Sequence, residues 1–489
     1  MEEELPYRVL DNVHGFIQYS EAERKIIESR LFKRLQSIKQ QSIANWVFPG
    51  SEHTRFIHSL GVMYLSDKIA RRLKVLDSNE LKIVRLAGLL HDVGHYPLSH
   101  VGEYPYKESM ADFPDTDYCQ RINAQVKHRI DTYSAGPKSS FMEPSNGNHH
   151  ERVGAQIVLF NKEIRNLIVS ECGEEAPQII EDMIVGNVQR NLCAHEDLMV
   201  QILHAELDAD GIDYLMRDAS FSGTSFGSFE LDQLIACMTV GQQNQKSILC
   251  VTPKGIAAAD QYLINKFFSY SQVVFNKHIS VTEWMAEQIV DWMQKNKAYF
   301  PSAEELVSWI KSPDTNQKYL NFTDNYFWAV LQNILDNPLC RTEPRFISHF
   351  CRELLQHNEL EYEENSEVRM VDCDASRIRE TLQKSMTYQR LDSWKDRIAI
   401  LSTRAMSKHS PKDVFETAVR AAVTASDEEA GEGSIDSKDI PEMHTRRLME
   451  GICVKEGDEL HLLCDDPRSL MRALYNQQLV VLRAFKCPI

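Results

Sequence analysis

Apolar residues recur every three to four positions along much of the chain, and that period predicts helices. Ile26, Ile27, Leu31, Leu35 and Ile38 mark one over 20–40, with Ser20 as its N-cap. The stretch HTRFIHSLGVMYLSDKIARRL, 53–73, predicts a second. NELKIVRLAGLLHDVGH, 79–95, predicts a third, more apolar than its neighbours and therefore central. Residues 104–148 break the pattern with YPYKES, DFPDTD, SAGPKSS and MEPSNGN, which reads as a loop insertion. Helical periodicity resumes at HHERVGAQIVLFN and again over 195–220. LIACMTVGQQNQKSILCVT predicts a hairpin, followed by one or two long helices from Gly255.

The pattern over 302–425 is mostly helical. SDEEAGEGSIDSKD, 426–439, is acidic, rich in Gly and Ser, and without apolar period, so it reads as a linker or loop. Beyond it, ICVKEGDELHLLC predicts a hairpin, DPRSLMRALYNQ a helix and QLVVLRAF a last strand. The expected fold class is mostly α with small β-hairpins and a small α+β C-terminal appendage. The expected divisions are a core over 1–290 with the 104–148 insertion, a helical extension over 291–425, the linker over 426–439, and an α+β segment over 440–489.

Composition narrows the function. The chain has 489 residues and a formal charge of −17. That balance argues against general nucleic-acid binding, which needs a positive face to displace counterions. A small anionic substrate would need a local basic pocket or a bound cation. No apolar run reaches the length of a membrane span, and the acidic start MEEELPYRVLDN does not resemble a targeting peptide, so the expected location is the cytoplasm with no membrane partner. The 11 cysteines are scattered without a CxxC pair and read as reduced thiols.

The concentrated chemistry lies in LAGLLHDVGHYPLSH, 86–100. His91 and Asp92 are adjacent, and His95 lies one helical turn from His91. His58 in the preceding helix and Asp210 in LDADGIDYLMRD can complete a mixed nitrogen and oxygen ligand set. Such a set suits Mn, Fe, Zn, Ni or Co better than Ca. Four such ligands together have no cheaper common explanation than a metal. His195 and His204 read instead as core histidines satisfied by ordinary partners. Asp213 and Arg217, at i and i+4, read as a structural ion pair.

His58, His91-Asp92 and Asp210 resemble the signature of the HD-domain metallophosphohydrolases. KRLQSIKQ, VFPGSEHTRFIHSLGV, LAGLLHDVGHYPLSH, HHE and DADGIDYLMRD, in that order over roughly residues 5–290, resemble its deoxynucleoside triphosphate triphosphohydrolase branch. The resemblance implies a helical HD core and a divalent transition metal, with Mg accompanying the nucleotide as a further candidate. It also implies cleavage of a deoxynucleoside triphosphate to deoxynucleoside and triphosphate, by water that a metal activates toward the α-phosphorus. By position it implies His95 and His150 beside the α-phosphate, His100 as general acid, and Glu103 as the acid working with a pocket histidine. His100 also reads as a turn residue, and Glu103 equally as a solvated surface acid. It further implies Arg55 on phosphate, Tyr214 in the nucleotide site, and Asp218 and Gln40 on the sugar. A homo-oligomer follows as a fold-level analogy.

Three departures from the family pattern bear on substrate. The cation that follows the metal aspartate is replaced by Gly211; a second arginine aligns with Phe267, next to Lys266; and VFNKHISV places Phe275 for a tyrosine and swaps Lys277-His278. Two cations lost from a buried cradle and not replaced cost about 2 to 5 kcal/mol each. Glu28, Lys33 and Gln36 stand where regulated members carry the polar residues of a guanine-nucleotide site, which argues against activation in that manner. No SAM domain is present in the sequence. The alternatives are an HD phosphatase or phosphodiesterase acting on shorter, cyclic or alarmone nucleotides, and a nucleotide sensor that binds without turnover.

Overall fold

The computed structural model describes residues 5–107, 118–134, 149–187, 190, 192–312, 316–337, 344–414, 417 and 440–488. The linker expected over 426–439 lies outside the described residues, as do 108–117 and 135–148 of the expected insertion. The described part of that insertion is helical: His100–Lys107 and Tyr118–Asp131 both form helices. Tyr118, Cys119, Ile122, Val126 and Ile130 give the second of these a buried stripe that the surrounding Pro and Gly residues mask in the sequence.

Helices Arg55–Leu73 and Ser78–Leu90 pack on one another and form the centre of the fold, as their apolar pattern predicts. Asp77 accepts hydrogen bonds from the Asn79 and Glu80 amides, and the Glu80 carboxylate accepts in return from the Asp77 amide. This capping box fixes where the second helix begins. It ends at Leu90, so His91 and Asp92 stand in the turn after the helix rather than on it. The stretch 20–40, expected as one helix, is broken at Ser29. The Ser29 side chain caps the Arg30–Lys33 turn by accepting from the Phe32 amide, while its own N–H closes the preceding helix on Ile26.

Among the described residues nine strands form three small sheets. β1 (Tyr7–Asp11) and β2 (Gly15–Tyr19) make an antiparallel hairpin that the polar alternation near the N-terminus did not reveal. β3 (Met238–Gln243) and β4 (Lys246–Val251) are the expected hairpin. The C-terminal segment carries β7 (Cys453–Glu456), β8 (Glu459–Leu462) and β9 (Gln478–Lys486), at the places its alternation predicts. β7 joins β4 in parallel, with Cys250 opposite Cys453. β9 lies between β5 (Val368–Asp372) and β6 (Arg397–Ala405), two strands inside the region read as mostly helical. Among the described residues no helix is long and apolar enough to cross a membrane.

Candidate active site

The turn after Leu90 and two helices, Arg55–Leu73 and Ala209–Ser222, bring the expected ligands together. His58, His91 and Asp92 are buried, and each presents a ligand atom within 4.8 Å of the others. Asp210 completes the group, its Oδ1 lying 2.9 Å from His58 Nε2 and 3.8 Å from His91 Nε2. Asp92 lies 3.7 Å from His58 Nε2 through Oδ2 and 3.5 Å from His91 Nε2 through Oδ1.

Both imidazoles are set for metal binding by what holds their far side. His91 Nδ1–H donates to the Gly88 carbonyl at 2.8 Å, so Nε2 carries the lone pair. His58 Nδ1 lies 2.7 Å from Asp213 Oδ2, which likewise turns Nε2 inward. Neither Nε2 has a hydrogen-bond partner, although both are buried. Two orphaned imidazole nitrogens facing two carboxylates fit a divalent cation. Burial pushes the His58 pKa down, but the close approach of the Asp210 carboxylate and the contact with Asp213 outweigh it and lift the pKa to about 10. The pocket therefore demands positive charge. Burial also works against ionisation of Asp92, and the charges of Arg55, His91 and His58 overcome it, holding that carboxyl below the usual range.

A second cluster abuts the first. His95, His100 and His150 could also hold an ion. The His95 and His150 rings stack at 3.9 Å, and His100 meets them edge-on at 5.1 and 5.5 Å. His95 Nε2 lies 3.4 Å from Asp92 Oδ1, so Asp92 borders both clusters. Burial, followed by the neighbouring Arg55 and His150 charges, keeps His95 neutral. Glu103 is fully buried, which settles its reading: it is no surface acid. Its Oε1 accepts from the His150 amide and lies 2.9 Å from His150 Nδ1, while Oε2 lies 3.1 Å from His100 Nδ1. The His100 side chain is 62% exposed, at the rim of this group. Gly94 allows the Asp92 turn to approach the His149–Phe160 helix, since a Cβ there would stand 2.2 Å from the His150 carbonyl oxygen.

The residues expected on substrate are placed more unevenly. Arg55 Nη1 donates to Asp92 Oδ2 at 2.6 Å and Nε to Ser99 Oγ at 2.8 Å; Nη2 has only a 3.5 Å contact to the Gln40 carbonyl. Its guanidinium thus supports a candidate metal ligand. Asp218 Oδ1 lies 2.8 Å from His53 Nε2, a partner the sequence did not suggest. Gln40 keeps a buried side-chain oxygen without a partner, and Tyr214 is half-buried one turn from Asp210. Asp213 pairs with Arg217, as its spacing predicts, and also orients His58. Its i,i+4 partner was legible in the sequence; His58, 155 positions away, was not. His195 and His204 have ordinary partners, Glu80 and the Ile184 carbonyl.

Residues 55–186 match the family described as HD domain. The chain is 27% identical over 282 residues to an uncharacterized protein of Methanocaldococcus jannaschii, across 58% of this chain and 49% of that protein. The chain thus spans about half the length of that relative. It is 40% identical over 97 residues to the deoxynucleoside triphosphate triphosphohydrolase SAMHD1 of Bos taurus, a match covering 19% of this chain and 16% of the relative. Its fold is similar to that of a phosphohydrolase from Bacteroides thetaiotaomicron, with a TM-score of 0.59 at 19% identity over 98% of this chain and 99% of that one.

Proposed function

We propose that this chain is an HD-domain phosphohydrolase that hydrolyses deoxynucleoside triphosphates to deoxynucleoside and triphosphate. The observation that carries the reading is the adjacency of two clusters sharing Asp92: a pocket that demands a cation, and a histidine group whose rim member, His100, is backed by a buried carboxylate. The nucleotide part draws support from the 40% identity to SAMHD1 over the matched 97 residues.

When bound, a divalent metal would be held by His58, His91, Asp92 and Asp210, and would polarise a phosphoryl oxygen and acidify attacking water. Asp213 and Gly88 fix the two imidazoles in the tautomer that presents Nε2. Arg55 holds Asp92 ionised and oriented. His95, kept neutral, offers a hydrogen bond without adding charge beside the scissile phosphate. Glu103 holds His150 in place and presents its second oxygen to His100, which can pass a proton to the leaving 5′-oxygen.

The test is a product assay. The purified chain is incubated with each deoxynucleoside triphosphate and Mn, with and without EDTA, and the products are resolved. Triphosphate release that disappears in EDTA and in His91→Ala is expected. Release of phosphate alone from a shorter nucleotide would replace this reading with the phosphatase alternative.

A further inference from the structure

Gln40 Oε1 and His53 Nδ1 are buried polar atoms without hydrogen-bond partners among the described residues, and neither belongs to the two ligand clusters. Both residues lie on the segment that leads into the Arg55–Leu73 helix. The Gln40 amide donates to the His53 carbonyl at 3.0 Å, and Lys39 bridges Thr54 in antiparallel fashion, so the segment closes into a loop.

That loop is pinned against the end of the Ala209–Ser222 helix. The His53 ring lies on the ring of Phe221, with centroids 4.6 Å apart. Gly50, earlier in the loop, comes so near that a Cβ there would stand 2.2 Å from the Phe221 carbonyl oxygen. Asp218 precedes Phe221 by three positions on the same helix, and its Oδ1 lies 2.8 Å from His53 Nε2. A carboxylate only accepts, so Nε2 carries the proton, and in the neutral ring Nδ1 is bare. The His53 side chain is wholly buried, whereas that of Asp218 keeps 12% exposure. Among the described residues Asp218 Oδ2 accepts no hydrogen bond, so one oxygen is held and the other is open to a donor.

We propose that His53 is a positioning residue that makes this site selective for a substrate hydroxyl. Its ring holds Asp218 through Oδ1 and leaves Oδ2 to accept from the hydroxyl. Its carbonyl holds the backbone of Gln40, so one residue fixes both groups expected on the sugar. A polar site built around a hydroxyl rejects an analogue without it, because its own acceptor is then left unpaired. That the hydroxyl is the 3′-OH of a deoxyribose rests on the function proposed above.

The test compares each deoxynucleoside triphosphate with its 3′-deoxy counterpart on the full chain. Calorimetry in EDTA gives the affinity ratio, and initial rates with Mn give the ratio of kcat/KM. The wild type is expected to favour the 3′-hydroxyl form about ten- to a hundredfold. His53→Phe, which keeps a ring on Phe221, should bring both ratios towards one through losses on the 3′-hydroxyl form alone. His53→Gln, which keeps an N–H donor, should restore part of the preference. In an Asp218→Asn background, adding His53→Phe should change the ratios no further. A preference kept in His53→Phe, or equal weakening of both forms, overturns the proposal while hydrolysis stands. So does a wild type that shows no preference. A preference in affinity that His53→Phe removes, in a chain that cleaves nothing, leaves His53 in its role and removes the proposed reaction. Neither binding nor turnover of any of these nucleotides overturns both.

Discussion

The carboxylate of Asp324 accepts the Leu98 amide at 2.7 Å, linking a helix of the C-terminal half to the turn that presents His100. Its other oxygen accepts the Lys39 amide at 2.9 Å. Leu98 and Ser99 are both left-handed, with φ of 56° and 55°, a conformation costly for residues with a Cβ. Ser99 Oγ in turn donates to the Lys39 carbonyl and accepts from Arg55. Asp324 thus braces a strained turn whose members touch Arg55 and precede His100.

Asp324→Ala leaves one buried and one half-buried amide without an acceptor and should cost about 2 to 4 kcal/mol of stability. Turnover should fall more than bound metal does, because the turn positions His100 rather than the metal residues. Denaturant unfolding together with metal content and kcat checks this. Loss of metal in step with activity would show that Asp324 supports the fold generally.

Asp213→Asn removes the charge that turns His58 Nε2 inward, and leaves Arg217 with Asp11 as its remaining carboxylate partner. Metal affinity should fall about ten- to a hundredfold. Competition against a chelator measures it, and unchanged affinity would make Asp213 a partner only of Arg217 and of His14, whose Nε2 lies 2.6 Å from Asp213 Oδ1.

His100→Ala should lower kcat about a hundredfold or more with metal content unchanged. The deficit should shrink on an aryl phosphodiester whose leaving group needs no proton. An equal deficit on both substrates would place His100 in binding.

Lys266 supplies a pH dependence. Burial, then the Lys408 charge, lower its pKa to about 8 from 10.5, with Arg404 adding to the shift and Asp208 and Glu206 opposing it. A cation depressed in the folded state binds fewer protons there than in the unfolded chain. The free protein therefore gains stability as pH rises from about 8 to 10.5, and carries the full penalty below 8. The gain should amount to about 2 to 3 kcal/mol and vanish in Lys266→Met. Parallel unfolding curves for the two proteins across that range would contradict it.

The candidate metal residues were legible because adjacent and helically spaced polar residues at the end of an apolar helix leave few structural explanations. His58, His91, Asp92 and Asp210 do meet, although His91 and Asp92 lie past the helix end rather than on it. What supports them was not legible. Asp324 and Arg404 lie in stretches without recognisable chemistry, His53 lies in a quoted motif but without a role, and each acts on a partner far away in sequence. β5 and β6 escaped for a similar reason. Each is short or flanked by helix-forming residues, and pairing with β9 outweighs local preference.

The position of β9 has a consequence for the order of folding. Arg404 faces Leu479 across the β6–β9 ladder, and β9 also joins β5, a closure of more than a hundred residues. Ladders of such long span form late, because the entropy of loop closure must be met before their contacts repay it. The candidate metal residues also close a long span, from His58 to Asp210, but none of them lies on β5, β6 or β9. A refolding chain can therefore regain cation affinity without first closing that sheet. Such a chain would be an intermediate able to hold a metal while its C-terminal strand is still unpaired.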